Sequence, residues 1–176
     1  MVERMFLSYS QEDEAFCSRL YRDLIKRLHL GNASQVIYFA PNNPMGGVWS
    51  PQLWKALEQS PIFLIAVSRY SAASQWVRDE AKRAIELRRK DASRIIIPLM
   101  LTPDLGCLPK IHADLEQFHY ADFREVNRYE DTLKRLVYIL KHPEIVRSLH
   151  GLEAFRDYQP WWQKTLAFII DVILRQ

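Results

Sequence analysis

The fold is decided by Ile62-Phe-Leu-Ile-Ala-Val-Ser68, which runs into Arg69-Tyr-Ser-Ala-Ala-Ser-Gln-Trp-Val-Arg-Asp-Glu80. The first six residues are apolar without alternation, and this predicts a strand buried on both faces of a parallel sheet. A helix is predicted to follow from about residue 73 to residue 90, with Trp76 and Glu80 four residues apart on one face. In open α/β sheets ligands bind where a strand gives way to such a helix. The segment therefore predicts both a fold and a site.

Strands and helices alternate along the rest of the chain as well. Short apolar runs that end in turn residues predict strands at residues 5–7, 36–39, 62–67, 95–101 and 118–120. Pro98 is awkward inside the fourth, which is expected to end or bend there. Helices are predicted to begin at Ser10, at Trp49, at about Ala73 and at Tyr129, and Gly31-Asn32 is expected to close the first. This alternation predicts a flavodoxin-like α/β fold: a doubly wound, five-stranded parallel sheet with helices on both faces.

The alternation ends near Lys141, so residues 1–142 are predicted to form one domain and residues 143–176 a helical extension, or a linker to an absent domain. Apolar residues near the end follow helical spacing at Leu166, Ile169, Ile170 and Ile173. They suit a helix that packs back on the domain, an oligomer contact, or the start of a further regulatory or sensor domain. A membrane-surface helix is less favoured because the polar face carries little basic charge.

Composition indicates an ordinary soluble domain. The chain has 176 residues, of which 48% are apolar and 26% charged, and its net charge is +3. Basic and acidic residues alternate, so no nucleic-acid partner is expected. The nearest basic cluster, Arg88-Arg89-Lys90, suits the dipole at a helix C-terminus.

The expected location is the cytoplasm. Cys17 and Cys107 show no pairing pattern, which fits a reducing compartment. The N-terminal residues lack the pattern of a signal peptide, and no apolar stretch is long enough for a transmembrane helix.

Several kinds of catalytic motif are absent from the sequence. It has no glycine fingerprint for a dinucleotide, no Walker loop and no Gly-x-Ser-x-Gly elbow. The five histidines are scattered without metal-ligand spacing. We therefore expect neither a resident cofactor nor a metal. Such a domain acts either through one or two side chains and the shape of its site, or by binding partners.

Candidate site residues follow the ends of the first three strands. Tyr9 and Ser10 come after the first, Phe39 after the second and Ser68 after the third. Because the carboxyl ends of parallel strands share one edge, these side chains are expected to line a common site. Trp49 precedes the second helix and is either a hydrophobic anchor or a substrate contact. Ser10 is also expected to cap the first helix, and Tyr9 suits the core or the rim equally well.

The assembled motifs resemble the bacterial form of the Toll/interleukin-1 receptor (TIR) domain. The resemblance covers about residues 3–142. It is carried by Phe6-Leu-Ser-Tyr-Ser10 with Glu12-Asp13, by Pro44-Met-Gly-Gly-Val-Trp49 with Leu57-Glu-Gln-Ser60, by Ile65-Ala-Val-Ser68, and by Trp76-x-x-x-Glu80.

The resemblance implies an NAD+ hydrolase or cyclase that cleaves the bond between nicotinamide and ribose, with NAD+ as a substrate rather than a cofactor. It implies that Glu80 is the catalytic residue and that the 40–49 loop mediates self-association that helps complete the site. It further implies a defence or toxin effector. Trp76 is expected to stack on an aromatic ring or to wall the pocket.

Other interpretations stay open beside this one. Some TIR domains act only as signalling scaffolds, and this chain is then a non-catalytic interaction module. A flavodoxin-like domain for another nucleotide is a further option. A Trp and a Glu four residues apart are also found simply as a half-buried aromatic beside a solvated acid.

Overall fold

The computed structural model describes residues 2–32, 36–39 and 51–153, the last five of these by backbone alone. Its strands are β1 (Met5–Ser8), β2 (Ile37–Tyr38), β3 (Ile62–Val67), β4 (Ile95–Met100) and β5 (Ala121–Asp122). They form one sheet in the order β2-β1-β3-β4-β5, and every neighbouring pair is parallel. The predicted flavodoxin-like arrangement is confirmed.

Seven α-helices are present among the described residues. They are α1 (Glu14–Leu28), α2 (Pro51–Glu58), α3 (Arg69–Ala73), α4 (Gln75–Lys90), α5 (Cys107–Ile111), α6 (Tyr129–Lys141) and α7 (Pro143–Glu153). Short 3-10 segments at Gln11–Asp13, Ala113–Gln117 and Val126–Arg128 precede α1, β5 and α6.

The sheet separates two hydrophobic cores because successive strand residues point to opposite faces. Met5 and Leu7 of β1 pack with α1 and α6 in one core, which we call the α1 side. Phe6 packs with α2 and α4 in the other, the α4 side. All six residues of β3 are buried, as their unbroken apolar run predicted.

The helix predicted from about residue 73 to residue 90 is α4, and a separate short helix that was not predicted, α3, precedes it. Ser68 forms a capping box with Ser71 and starts α3 directly after β3. Ser74 then returns to extended backbone, and its Oγ accepts the amide of Val77 to start α4. Two serine caps thus divide the region into two helices. The interior of α4 is as predicted, with Val77 and Ala84 buried toward the sheet.

Pro98 lies inside β4, opposite Ile65 of β3, and the strand neither ends nor bends away there. The amides of Ile95 and Leu101 donate to carbonyls on the β3 side. By alternation, the nitrogen of residue 98 points to the β5 side, where pairing begins only at Leu99. Although proline has no N–H to donate, no hydrogen bond between β4 and either neighbouring strand is therefore lost.

Two other predicted boundaries were wrong. β5 lies at residues 121–122 instead of 118–120, because Phe118 is buried in the α4-side core after a 3-10 turn. α1 ends at Leu28, and His29 closes it in the left-handed region at φ 53, before Gly31 is reached. The N–H of His29 satisfies the carbonyl of Ile25 in that conformation.

The first part of the C-terminal extension packs on the domain. Pro143 occupies the first position of α7, where its missing N–H needs no partner. Val146 contacts the α1-side core, and Arg147 donates to both carboxylate oxygens of Glu3. Residues 154–176, including the apolar spacing after Pro160, lie outside the described residues.

Candidate functional site

Glu80 lies in the second turn of α4, at the carboxyl end of β1. Its relative exposure is 2%. Ser8, the last residue of β1, donates a hydrogen bond from Oγ to Oε2 of Glu80 over 2.5 Å. The sequence places Glu80 here because it shares the inward face of α4 with Val77 and Ala81. A carboxyl group is thereby fixed at the edge of the sheet where α/β domains bind ligands.

The electrostatic setting of Glu80 favours the protonated acid. Burial raises the pKa of its carboxyl from 4.5 to about 8, and nearby Asp79 also raises it. Hydrogen bonds from Ser8 and Trp76 act in the opposite direction and stabilise the carboxylate. Within the described chain, no cation is among the groups that act on this pKa. Carboxyl groups perturbed in this way concentrate at functional sites.

Aromatic side chains flank the acid on the α4 side of the sheet. Trp76 is half-buried, packs against the α4-side core and hydrogen-bonds Glu80. Tyr38 of β2 stacks on Phe6 with ring centroids 5.0 Å apart. Burial raises the pKa of Tyr38, and Glu80 adds to that effect, so the two groups are within electrostatic reach. The predicted pairing of Trp76 with Glu80 is therefore present in the structure.

Tyr9 and Phe39 form a stack on the α1 side. Their ring centroids are 5.2 Å apart, and Phe39 stacks in turn on Tyr21 at 4.8 Å. Burial chiefly raises the pKa of Tyr9, with smaller contributions from Glu14, Cys17 and Glu80. Tyr9 thus lies within electrostatic reach of Glu80, whereas Phe39 belongs to the stack. Their substrate-binding roles stay predictions.

Ser10 and Ser68 contact acids other than Glu80. Ser10 donates to the carboxylate of Glu12, and its side chain makes no capping bond to the helix that follows, contrary to the prediction. Ser68 donates from Oγ to Oδ2 of Asp13 over 2.7 Å. Both serines lie at the expected edge of the sheet, and contact of either with substrate stays a prediction. Trp49 and the 40–49 loop lie outside the described residues.

The structure adds three residues that sequence reasoning missed at this edge: Ser8, Tyr38 and Asp13. The alternation of β1 carries a usable signal for Ser8, since residues 6 and 8 share a face and Phe6 is a core residue. Alternation in β2 carries the corresponding signal for Tyr38, whose side chain lies on the face opposite to that of Ile37. Asp13 is only 8% exposed. In the sequence it is recognisable only as an acid in the first turn of a helix, so its burial could not be predicted.

The part of the chain that the structure describes contains no group of three or more His, Cys, Asp or Glu side chains able to hold a metal ion. No helix within it is both long and apolar enough to cross a membrane.

The arrangement around Glu80 suits chemistry in which positive charge develops on a bound molecule. A buried carboxylate interacts strongly with such a charge because little water screens it. Its oxygens also accept hydrogen bonds from sugar hydroxyls, and an adjacent indole offers a face for an aromatic ring. The second buried acid at this edge, Asp13, is hydrogen-bonded to Ser68.

Comparisons with known proteins agree with this fold. The family model described as the TIR domain matches residues 5–137. Among solved structures, the chain is similar to the TIR domains in the structure of the activated Roq1 resistosome directly recognizing the pathogen effector XopQ. That match has a TM-score of 0.54 and 18% identity, and it covers 77% of this chain and 98% of the other. No curated protein matches the chain. The structural likeness establishes the fold.

Proposed function

The chain belongs to the TIR domain family, and from that premise we propose that it is an NAD+ glycohydrolase or cyclase that cleaves the bond between nicotinamide and ribose. Glu80 is the catalytic residue, and Trp76 stacks on an aromatic ring of the substrate or walls the site. Tyr9, Ser10, Phe39, Ser68 and Trp49 are the further substrate-binding residues of this proposal.

One observation carries the proposal: the carboxyl of Glu80 is almost fully buried at the carboxyl edge of the sheet, with hydrogen bonds from Ser8 and Trp76. Burying an ionisable group without a cation partner is costly. Stability alone gives no reason for an acid here, because an apolar residue of similar size would fill this position without that cost. A function that uses the carboxyl group explains its presence.

The chemistry follows from the charge of the substrate. The bond between C1′ of the ribose and the pyridinium nitrogen breaks, and its electron pair goes to the nitrogen, so nicotinamide leaves as a neutral molecule. The leaving group therefore needs no general acid, and one carboxylate is enough. The ribose acquires oxocarbenium character, which an adjacent carboxylate stabilises as in glycoside cleavage. Water then bonds to C1′ and releases a proton, or a nucleophile of the same dinucleotide closes a ring.

Self-assembly is part of the proposal. The solved structure to which the chain is similar is of TIR domains within an assembly, the activated Roq1 resistosome. In this chain the 40–49 loop is proposed to contact a neighbouring protomer and to complete the site. The chain is then a prokaryotic immune effector, acting against phage, whose activity rises with concentration. A regulatory or sensor domain beyond residue 176 is the proposed source of the trigger.

A second candidate function is a non-catalytic signalling module. The similarity to TIR domains within an assembly, the activated Roq1 resistosome, supports it, because an assembly also suits a domain that acts by association. In that case the chain acts through TIR–TIR contacts alone. The two candidates differ in what happens when Glu80 is replaced.

The test is NAD+ consumption by the purified chain over a wide range of protein concentration, with products separated by chromatography. The wild type is compared with Glu80→Gln and with Glu86→Gln, a matched control on the same helix whose side chain pairs with Arg83 at the surface. The proposal expects turnover that rises with protein concentration, falls at least about a hundredfold in Glu80→Gln and persists in Glu86→Gln. Equal activity in all three proteins contradicts the catalytic role of Glu80.

A further inference from the structure

Ser8 is the polar group that joins β1 to the proposed catalytic acid. It ends β1, which lies between β2 and β3, and its relative exposure is 1%. Its backbone is held in register opposite Ile65 of β3. The hydroxyl is therefore attached to a strand residue whose backbone is paired with β3. A donor of this kind has little freedom to move when a ligand binds.

The bond between Ser8 and Glu80 is short. The distance of 2.5 Å from Oγ to Oε2 is at the lower end of the range for an O–H donor to an ionised acceptor. A neutral pair of oxygens ordinarily lies nearer 2.7–2.8 Å. A hydroxyl that donates to Oε2 in this way favours the carboxylate form of Glu80 and opposes the effect of burial.

Few of the described groups around Glu80 favour its carboxylate form. Asp79 on α4 disfavours the ionised acid, and Tyr38 on β2 and Tyr9 after β1 are neutral groups within its electrostatic reach. Trp76 on α4 supplies the other favourable hydrogen bond. Among the residues that the structure describes, Ser8 and Trp76 are therefore the donors that favour a carboxylate at this position.

We propose that Ser8 is a positioning residue of the NAD+-cleaving reaction: its hydroxyl fixes Oε2 of Glu80 and favours the carboxylate that stabilises the ribose cation. This inference rests on the proposed function and adds a residue to it. Ser8 does not touch the substrate in this role. Its effect reaches the reaction through the orientation and the ionisation of Glu80.

The test compares pH–rate profiles of NAD+ consumption for the wild type, Ser8→Ala and Ser8→Thr. Ser60→Ala is the control, because Ser60 is also buried, donates to the carbonyl of Ala56 and lies at the opposite end of β3. We expect Ser8→Ala to lower kcat roughly tenfold to a hundredfold, with KM changed much less. Its rising limb moves to higher pH, because a bond that favours the carboxylate has been removed.

Ser8→Thr retains a hydroxyl and is expected to restore much of the rate and the position of the limb. Thermal unfolding of each variant checks that it is folded, and the position of the pH limb is independent of the amount of active protein. An active wild type with an unshifted limb and an unchanged kcat in Ser8→Ala overturns the role of Ser8 alone. A wild type without turnover at any concentration overturns the proposed function, and this role with it.

Discussion

The side chain of Ser68 links the end of β3 to Asp13 at the start of α1. Its Oγ donates to Oδ2 of Asp13 over 2.7 Å and accepts the amides of Tyr70 and Ser71 over 3.0 and 3.1 Å. One hydroxyl therefore caps α3 and satisfies a buried acid on a neighbouring segment. Both residues are less than a tenth exposed. This link fixes the two segments that border the candidate site.

Replacing Ser68 with Ala is expected to lower the free energy of unfolding by about 2–4 kcal/mol. Loss of a cap costs about 1 kcal/mol, and the partner left unsatisfied in the interior adds about 1–3 kcal/mol. Urea denaturation measures the change. Ser148→Ala is the control, since Ser148 is exposed on α7 and donates only to the carbonyl of Glu144. Equal losses of unfolding free energy in the two variants would show that the hydrogen bond to Asp13 stabilises the protein no more than a surface hydrogen bond does.

Glu80→Gln is expected to stabilise the protein relative to wild type as pH rises. The folded pKa of about 8 lies above the ordinary value of 4.5, so between these pH values the folded state binds more protons than the unfolded state. Wild-type stability from this group is full below pH 4.5 and is lost as pH rises through about 8. Glutamine cannot ionise and does not incur this loss. A tenfold change in proton affinity corresponds to about 1.4 kcal/mol. The difference in the free energy of unfolding between the two proteins is therefore expected to grow by roughly a few kcal/mol between pH 5 and pH 9.

The measurement is urea denaturation of both proteins at pH 5, 7 and 9, compared as differences so that other titrating groups cancel. Glu86→Gln serves as the control, because its side chain is only partly buried and paired at the surface. A gap that stays constant between pH 5 and pH 9 for Glu80→Gln would mean that this acid is not held protonated by the fold.

The same carboxyl predicts the pH dependence of turnover. If the carboxylate is the reactive form, log kcat/KM rises with pH and levels off above about pH 8. Initial rates of NAD+ consumption between pH 6 and pH 9.5 give this profile. A rate that falls across the same interval would indicate that the protonated acid is the active form.

The sequence predicted the architecture because its strongest signals are local. The unbroken apolar run 62–67 fixed the central strand, and apolar spacing placed α6 at Tyr129–Lys141 as observed. The errors fell where tertiary contacts or caps decide the outcome. Ser68 and Ser74 start separate helices, and burial of Phe118 moves β5 along the chain.

The candidate site was predictable only in part. Helical spacing was enough to place Trp76 beside Glu80. The partner of Glu80 was missed because Ser8 is 72 residues away in sequence and meets it only through the packing of α4 on β1. Asp13 was missed for the same reason, since Ser68 is 55 residues away. Contacts of this length depend on strand order and register, which residue patterns do not specify.

The ion pair between Arg147 and Glu3 predicts that α7 contributes to the stability of the domain. Nη1 and Nη2 of Arg147 bind the two carboxylate oxygens over 2.9 and 2.7 Å, and Nε donates to the carbonyl of Ser93 over 2.7 Å. Both side chains are less than a third exposed. A bidentate pair with this extra bond is stronger than an ordinary surface pair. We therefore expect Arg147→Gln to lower the free energy of unfolding by about 1–2 kcal/mol.

A double-mutant cycle with Glu3→Gln isolates the coupling between the two side chains. The matched control is the cycle for Arg27 and Glu130, which also lie 2.7 Å apart but are 44% and 55% exposed, so their coupling is expected to be at most a few tenths of a kcal/mol. NAD+ turnover per folded molecule should be unchanged in Arg147→Gln, because Glu3 and Ser93 precede β1 and β4 and lie at the amino edge of the sheet, opposite Glu80. Lost turnover in a folded Arg147→Gln protein would contradict this separation and would connect α7 to the site.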